Sequence, residues 1–354
     1  REDSTRQPPV MEEMKAAARA AGLWNMFLPG EHGAGLTNLE YAPLAELMGR
    51  HLWSAEVFNC NAPDTGNMEV LHMYGSAEQQ ARWLKPLMAG EIRSAFLMTE
   101  PEVASSDATN IQTRIERDGD HYVVSGEKTF ITSGMRADYL TVAVRTGGEG
   151  PGGVSLLLIE GNTPGLSRTK LKKMGWWASD TATLHFDECR VPVENLIGEE
   201  GQGFTYQMIQ FQEERLWGAA ACLKAHEFII NATIDYTRNR KAFGGSILDN
   251  QVVHFKLAEM QTEVELLRSL IYRAAEALVA GEDVTRLATM AKLKAGRLGR
   301  ELTDACLQYW GGMGFTNETP VSRAYRDSRL TSIGGGADEV MLMVLCKMMG
   351  TLPG

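Results

Sequence analysis

The 354-residue chain has only five cysteines, Cys60, Cys189, Cys222, Cys306 and Cys346, and none falls in CxxC spacing. An odd, dispersed set reads as reduced thiols in an intracellular protein, and it argues against a disulfide framework or a metal site built on thiolates. The expected location is the cytoplasm, or the mitochondrial matrix if the source is eukaryotic. No run of about 18 uncharged apolar residues occurs, so no membrane span is expected. The N-terminal REDSTRQPP is polar and lacks the apolar core of a secretory signal. There is no basic excess: 35 Lys and Arg stand against 45 Asp and Glu, a net charge of −10. That balance argues against a nucleic-acid binder, which needs a basic face, and the short KLKKM run does not alter it. Internal repeats and low-complexity tracts are absent.

What is present is an ordinary globular composition, 44% hydrophobic and 23% charged. The length suits two or three domains or one large multilayer subunit. Residues 1–93 read mostly as helix: VMEEMKAAARAAGLW is rich in good helix formers and LEYAPLAELMGRHL repeats apolar residues at helical spacing, with Gly22, Pro29 and Gly30 as punctuation. Over 94–202 the texture changes to short β runs, and TNIQTRIERDGDHYVVSGEKTFIT alternates, turns at Asp118-Gly119-Asp120 and alternates again. From 203 to 354 long helices return, near 204–240, 250–280, 283–310 and from 338, with Val264, Leu267, Ile271, Ala274 and Leu278 on one stripe. The expected class is α+β: an N-terminal helical domain, a middle antiparallel β domain and a C-terminal four-helix bundle.

Four stretches carry candidate chemistry. MTEPEVASSDATN ends a β run in a turn rich in hydroxyls and backbone N–H groups, suited to carbonyls or phosphates, with a plain polar loop as an equal reading. In KTFITSG, Phe130 and Thr132 share one face of a strand, a ring beside a hydroxyl, which suits a flat heterocycle or an ordinary cross-strand pair. RKAFGGSILDNQ places Arg240, able to bind phosphate, and Phe243 at a helix break eight residues before Gln251. In QYWGGMGF the glycines 311, 312 and 314 interrupt a helix at about 1 kcal/mol each, for a close approach or for a tight turn.

The order MTEP, GEKTFITSG, RKAFG with Gln251, QYWGGMGF and RDSRLTSIGGGADEV resembles the acyl-CoA dehydrogenase family of flavoproteins, over about 23–349. The resemblance implies FAD. Met98 and Thr99 would lie against the flavin, Phe130 would shield it in place of a more usual Trp, Thr132 would bond near its N5, and Ser106 would lie by the diphosphate. Arg240, Phe243, Gln251, Gln308, Gly312 and Glu339 would serve an FAD held mainly by a neighbouring subunit, in a homodimer or homotetramer. Arg215, Ser179, Phe211 and Gly334 would contact the acyl-CoA. The family pattern also implies that this chain begins after the family's first helix. It departs from that pattern in three places: MTEPEVASSD is one residue longer than usual, Ala337 replaces a frequent Thr, and Gln212 replaces a frequent Asp partner of the CoA-channel Arg. The long loop and VFNCNAPDTGNMEVLH resemble a subgroup found in multidomain eukaryotic members and bacterial relatives.

Much of the family carries its catalytic Glu where this chain has Gly335. In a long-chain and an isovaleryl branch the Glu comes from the first bundle helix, before the Arg of an E-R-L sequence, and FQEERLW matches with Glu214. On residue type alone Glu213 and Glu214 are ordinary solvated carboxylates; the missing base elsewhere reverses that reading. Glu213 is the nearest rival and Asp338 a weaker one. The glycine loop 334–336, with Gly335 at its centre, would stabilise the thioester oxyanion through a backbone N–H. The implied reaction is α,β-dehydrogenation of an acyl-CoA to the trans-2-enoyl-CoA, of a long or branched chain, with electrons passing to an electron-transfer flavoprotein. The alternatives are an oxygen-using acyl-CoA oxidase or flavin monooxygenase on the same scaffold and, more remotely, a flavin-containing nucleic-acid-binding relative.

Overall fold

Local signals set the N-terminal helices. In the computed structural model, which describes residues 7–29 and 33–352, Pro9 opens α1 (Pro9–Ala20), a position where its missing N–H is no loss. A capping box of Thr37 and Glu40 opens α2 (Asn38–Met48). Then come α3 (Ser54–Val57), α4 (Asp64–Tyr74) and a continuous helical stretch in which α5 (Ala77–Gln79) and α6 (Lys85–Met88) flank a π turn at Gln80–Leu84. Residues 1–6 of the polar N-terminus, and Gly30 of the expected punctuation, lie outside the described residues.

The middle region forms one eight-stranded sheet from β1 (Ser94–Leu97), β2 (Arg114–Asp118), β3 (His121–Thr132), β4 (Tyr139–Arg145), β5 (Val154–Glu160), β6 (Leu166–Lys170), β7 (Thr181–Pro192) and β8 (Leu196–Ile197). Strand order is β6-β7-β3-β2-β4-β5-β8, with β1 beside β4. The β2–β3 hairpin closes Asp118 on His121 through Gly119-Asp120, and Gly119 adopts φ +64° there. Pairing is mostly antiparallel, but β1 runs parallel to β4 and β2 meets β4 in parallel at Arg114 and Arg145. A purely antiparallel reading missed this, because sequence alternation fixes which face is buried and not the direction of the neighbour. β3 bulges between Lys128 and Ile131. Lys128 and Thr129 are both buried there, Phe130 is thrown outward at φ +60°, Ile131 is buried and Thr132 half-buried.

The C-terminal region is built on α7 (Gly203–Asn239), a small hairpin of β9 (Lys241–Ala242) and β10 (Gly245–Ser246), α8 (Gln251–Val279) and α9 (Thr285–Trp310). A further helix, α10 (Pro320–Ser328), precedes α11 (Asp338–Met349). The long-helix pattern did not single out α10, which is nine residues long and strongly polar on one side. On α8, Val264, Leu267, Ile271 and Ala274 are buried and Leu278 half-buried. One apolar core runs from Met68 and Leu71 of α4 through Leu216 and Leu223 of α7 to Leu298 of α9. A second, of Leu140, Val142, Leu157, Ile159 and Leu184, lies within the sheet. The first core fixes α4 against α7, and the candidate base lies in that contact. Among the described residues no helix is long and apolar enough to cross a membrane, and all five cysteines are free.

Candidate active site

Positions 207, 210, 211, 214, 215 and 218 recur on α7 at helical spacing, so Gln210 and Glu214 stack one turn apart. Gly66 of α4 lies directly against them: a Cβ there would sit 2.5 Å from Glu214 Oε1 and 2.5 Å from Gln210 Nε2. Any larger residue at 66 would have to displace the ends of these two side chains. Phe211 meets Phe96 of β1 edge-on at 5.9 Å, and Trp217 meets Tyr41 of α2 edge-on at 5.2 Å. In this surround burial pushes the Glu214 carboxyl up to about 7, against the opposing pull of Gln210 and Arg215. Such a group is about half ionised at neutral pH and accepts a proton readily, as a general base must. Burial also raises Glu213, which the Asn38 side chain opposes. Asp338 is buried at the start of α11, 3.9 Å from Arg297 and 3.8 Å from Arg300.

The glycine loop reaches the same region. Gly335 and Gly336 take φ +65° and +99°, conformations that a side chain resists. Arg215 Nε donates to the Gly335 carbonyl at 3.4 Å, and the buried Lys292 Nζ donates to the Gly336 carbonyl. Both carbonyls are thus turned toward cations. The loop leads into α11, whose N-cap Ala337 supplies no side-chain cap, so the first N–H groups keep their donor capacity. Gly334 and Gly335 are exposed and so is Glu339, in the first turn of α11. Ser179 lies elsewhere, half-buried in the loop before β7, where its carbonyl accepts from Lys173 at 2.7 Å. Trp176 pins this loop to the bundle by donating to Asp327 Oδ1 at 2.6 Å and to its carbonyl at 2.8 Å.

A buried ion pair underpins the MTEP loop. Lys128, wholly buried, donates to Glu100 Oε1 at 2.7 Å and to the Met98 carbonyl at 3.0 Å. Glu100 also accepts from Gln112 N at 2.6 Å and Thr113 N at 2.9 Å. Thr129 N donates to the Thr99 carbonyl at 2.9 Å, which ties the loop to the β3 bulge. Met98 and Thr99 are half-buried and Ser106 is exposed.

The remaining candidates gather at one end of the bundle, where α7 ends, α8 begins and α9 ends. Tyr236 stacks on Trp310 at 4.1 Å, and Tyr309 Oη donates to the Val252 carbonyl at 2.9 Å, binding the three helices together there. Arg240, Gln251, Gln308 and Gly312 are exposed at this end. Phe243 is fully exposed at φ +53°, and Phe315 is 90% exposed. The structure therefore divides the candidates into a β-domain group and a bundle-end group, and no hydrogen bond joins the two among the described residues.

Both groups fit a flavin dinucleotide. Phe130 is an aromatic ring 69% exposed on a strained backbone, beside the half-buried hydroxyl of Thr132. Phe243 and the open space around Gly311 and Gly312 supply an apolar surface beside Arg240 in the other group. Reading the sequence missed Gly66, Gln210, Glu100, Lys128 and Lys292. Only Gly66 left a trace, a glycine inside a helix-forming stretch.

The contact at Gly66 makes a test. Gly66→Ala adds a methyl where Glu214 and Gln210 now sit. Helix propensity alone favours Ala by about 1 kcal/mol, so the variant should melt no lower than the parent by much. Displacing the base should still slow flavin reduction by up to about 10²-fold. Anaerobic stopped-flow alongside calorimetry checks both halves, and unchanged reduction would mean that Glu214 does not work from this position.

Comparison with known proteins bears on the fold and the family. Models of the acyl-CoA dehydrogenase N-terminal, middle and C-terminal domains match residues 1–91, 95–189 and 201–350. A probable acyl-CoA dehydrogenase, FadE2 of Mycobacterium tuberculosis, is 39% identical over 96% of this chain and 85% of its own length. Acyl-CoA dehydrogenase family member 11 of Gallus gallus is 34% identical over 98% of this chain, which spans only 46% of that longer protein. The solved structure of a putative acyl-CoA dehydrogenase from Mycobacterium abscessus superposes with a TM-score of 0.93 at 35% identity, covering 97% of this chain and 87% of that one. With three consecutive domain models matched along nearly its whole length, the chain belongs to the acyl-CoA dehydrogenase family.

Proposed function

We propose that this protein removes two hydrogens from Cα and Cβ of an acyl-CoA, with Glu214 as the base. The observation that carries this is a carboxylate raised to about 7 in an aromatic surround on α7, next to a glycine loop that holds no carboxylate of its own. FAD, when bound, supplies the acceptor for the hydride that leaves Cβ. The protein does the rest. Glu214 takes the α-proton, the electron pair of that C–H bond becomes the Cα–Cβ double bond, and the trans-2-enoyl thioester results. A backbone N–H of the loop 334–336 donates to the thioester oxygen as charge builds there. Arg215 and Lys292 hold that loop by its carbonyls and so aim its N–H groups. Phe211, Phe96 and Trp217 keep the site dry, which preserves the raised basicity of Glu214.

Gly335 leaves open space where a carboxylate would otherwise stand, with no heavy atom within 4 Å of a Cβ built there. This supports a longer or branched acyl chain. An electron-transfer flavoprotein is the proposed electron acceptor. The bundle-end group, exposed and separate from the β-domain group, supports an FAD shared between two subunits of a dimer or of a tetramer of such dimers.

The test is a panel of acyl-CoAs, varied in length and branching, mixed anaerobically with the FAD-loaded protein. Longer or branched thioesters should bleach the flavin and yield the enoyl-CoA, and the reduced protein should reoxidise slowly in air. Rapid reoxidation by oxygen would point instead to an oxidase.

A further inference from the structure

The glycine loop is seated on α9 at both of its ends. Gly296 of α9 leaves the room: a Cβ there would lie 2.8 Å from Ser332 Oγ, just before the loop, and 3.2 Å from Asp338 Oδ1, just after it. Ser332 and Asp338 are both buried. Lys292 lies one turn before Gly296 on the same face of α9. It is 5% exposed, and its Nζ donates to the Gly336 carbonyl, between those two ends. A lysine is rarely buried unless a carboxylate pairs with it. Among the described residues Lys292 forms no ion pair, and Asp338 has Arg297 at 3.9 Å and Arg300 at 3.8 Å. The other groups that face Lys292 are Arg215, which is a like charge, Glu339, which is exposed, and the Cys222 thiol, which burial keeps neutral. Burial lowers the Lys292 ammonium to about 8, so it stays charged at neutral pH. A buried positive charge is thus left without a counter-charge behind a loop whose next carbonyl, that of Gly335, is held by Arg215, the neighbour of Glu214.

We propose that this unpaired charge serves the reaction: through the Gly336 carbonyl, Lys292 stabilises the negative charge that builds on the thioester oxygen as the α-proton leaves. This goes beyond holding the loop in place, which a neutral donor could do as well. Gly335 and Gly336, at positive φ, have no side chain to fix them, so the loop depends on what binds its carbonyls. A cation on a peptide carbonyl polarises the hydrogen bonds linked to it. A charge already fixed in a dry site also needs no rearrangement when the transition state forms. Lys292 touches no reacting atom and is a positioning residue that acts through the loop. The proposal rests on the loop being the donor to the thioester oxygen, and it does not depend on which carboxylate is the base.

The experiment compares Lys292→Met, which removes both charge and donor, with Lys292→Gln, which keeps a donor and removes the charge. In the FAD-loaded protein at neutral pH, both should lower the limiting rate of acyl-CoA-driven flavin reduction by roughly 10- to 100-fold with acyl-CoA affinity little changed, as expected of an interaction that strengthens in the transition state. Neither should melt below the parent, because no paired carboxylate is stranded when the charge goes. A merely structural lysine would give the reverse, a lower melting temperature at an unchanged rate. The readout that needs no turnover is the infrared C=O stretch of a bound trans-2-enoyl-CoA with an isotope-labelled carbonyl. Binding to the parent should move this band to lower wavenumber. The shift should shrink in both Lys292 variants and persist in Glu214→Gln, where the loop is intact. Lys292→Met at the parental rate, or with the parental carbonyl shift, would overturn the proposal and leave the dehydrogenation reading standing. A parental Lys292→Gln beside a slow Lys292→Met would also overturn it, by assigning the effect to the bond and not the charge. A parent that binds the thioester without any carbonyl shift would remove the loop's role and the proposal with it. Should Lys292→Met fail to fold, Lys292→Gln carries the decision.

Discussion

Glu214→Gln should leave a folded, FAD-binding protein that acyl-CoA reduces about 10²–10⁴-fold more slowly than the parent, the range expected when a general base is lost. The amide fills the same space beside Gly66 and Gln210, so binding should be little changed. In the parent the pH dependence follows from the raised carboxyl. Glu214 must be unprotonated to accept the α-proton, so reduction should be on its plateau above about 7 and fall about tenfold per unit below it. Glu214→Gln should show no limb in that window. Reduction within tenfold of the parent would move the base to Glu213, the neighbouring raised carboxyl.

Lys128→Met should be the most damaging single change to the fold around the cofactor. Lys128 is fully enclosed, and burial lowers its ammonium to about 8 despite the favourable charge of Glu100. Burial pushes Glu100 the other way, but Lys128 and the Gln112 and Thr113 donors together hold it below the usual carboxylate range. Removing the cation strands a buried carboxylate, a loss of about 3–5 kcal/mol in comparable pairs. The same cation holds the Met98 carbonyl, so FAD should also be lost more easily. Adding Glu100→Gln to Lys128→Met removes the stranded charge but keeps an acceptor for the two backbone donors. The double variant should therefore recover part of the stability. Denaturant unfolding measures this, and a Lys128→Met within about 1 kcal/mol of the parent would show that the pair does not support the loop.

Local order in the sequence carried over to the fold where one element decides it. The period of α8 showed its buried stripe, and the Asp118-Gly119-Asp120 signal lies at the β2–β3 turn. What was hidden depends on contacts between elements. The bulge that turns Phe130 outward is imposed by pairing with β7, while the residues themselves read as a regular strand. The parallel run of β1 beside β4 is a matter of topology. In the site, FQEERLW pointed to Glu214, but its neighbour Gly66 comes from α4, far away in the chain. Nothing in a linear pattern shows that a glycine in one helix makes room for a carboxylate in another. Lys128 and Glu100 were hidden for a related reason: charged residues are usually solvated, and only the folded loop shows these two buried together.

The central claim is that Glu214 removes the α-proton, and exchange of that proton tests it apart from hydride transfer. A 3-thia-acyl-CoA has sulfur at position 3 and so cannot lose hydride there, while its α-protons remain acidic. Incubated with the FAD-loaded protein in D₂O and followed by NMR, it should lose one α-proton signal with the parent and keep both with Glu214→Gln, at equal ligand binding. Exchange by Glu214→Gln at the parental rate would contradict the account.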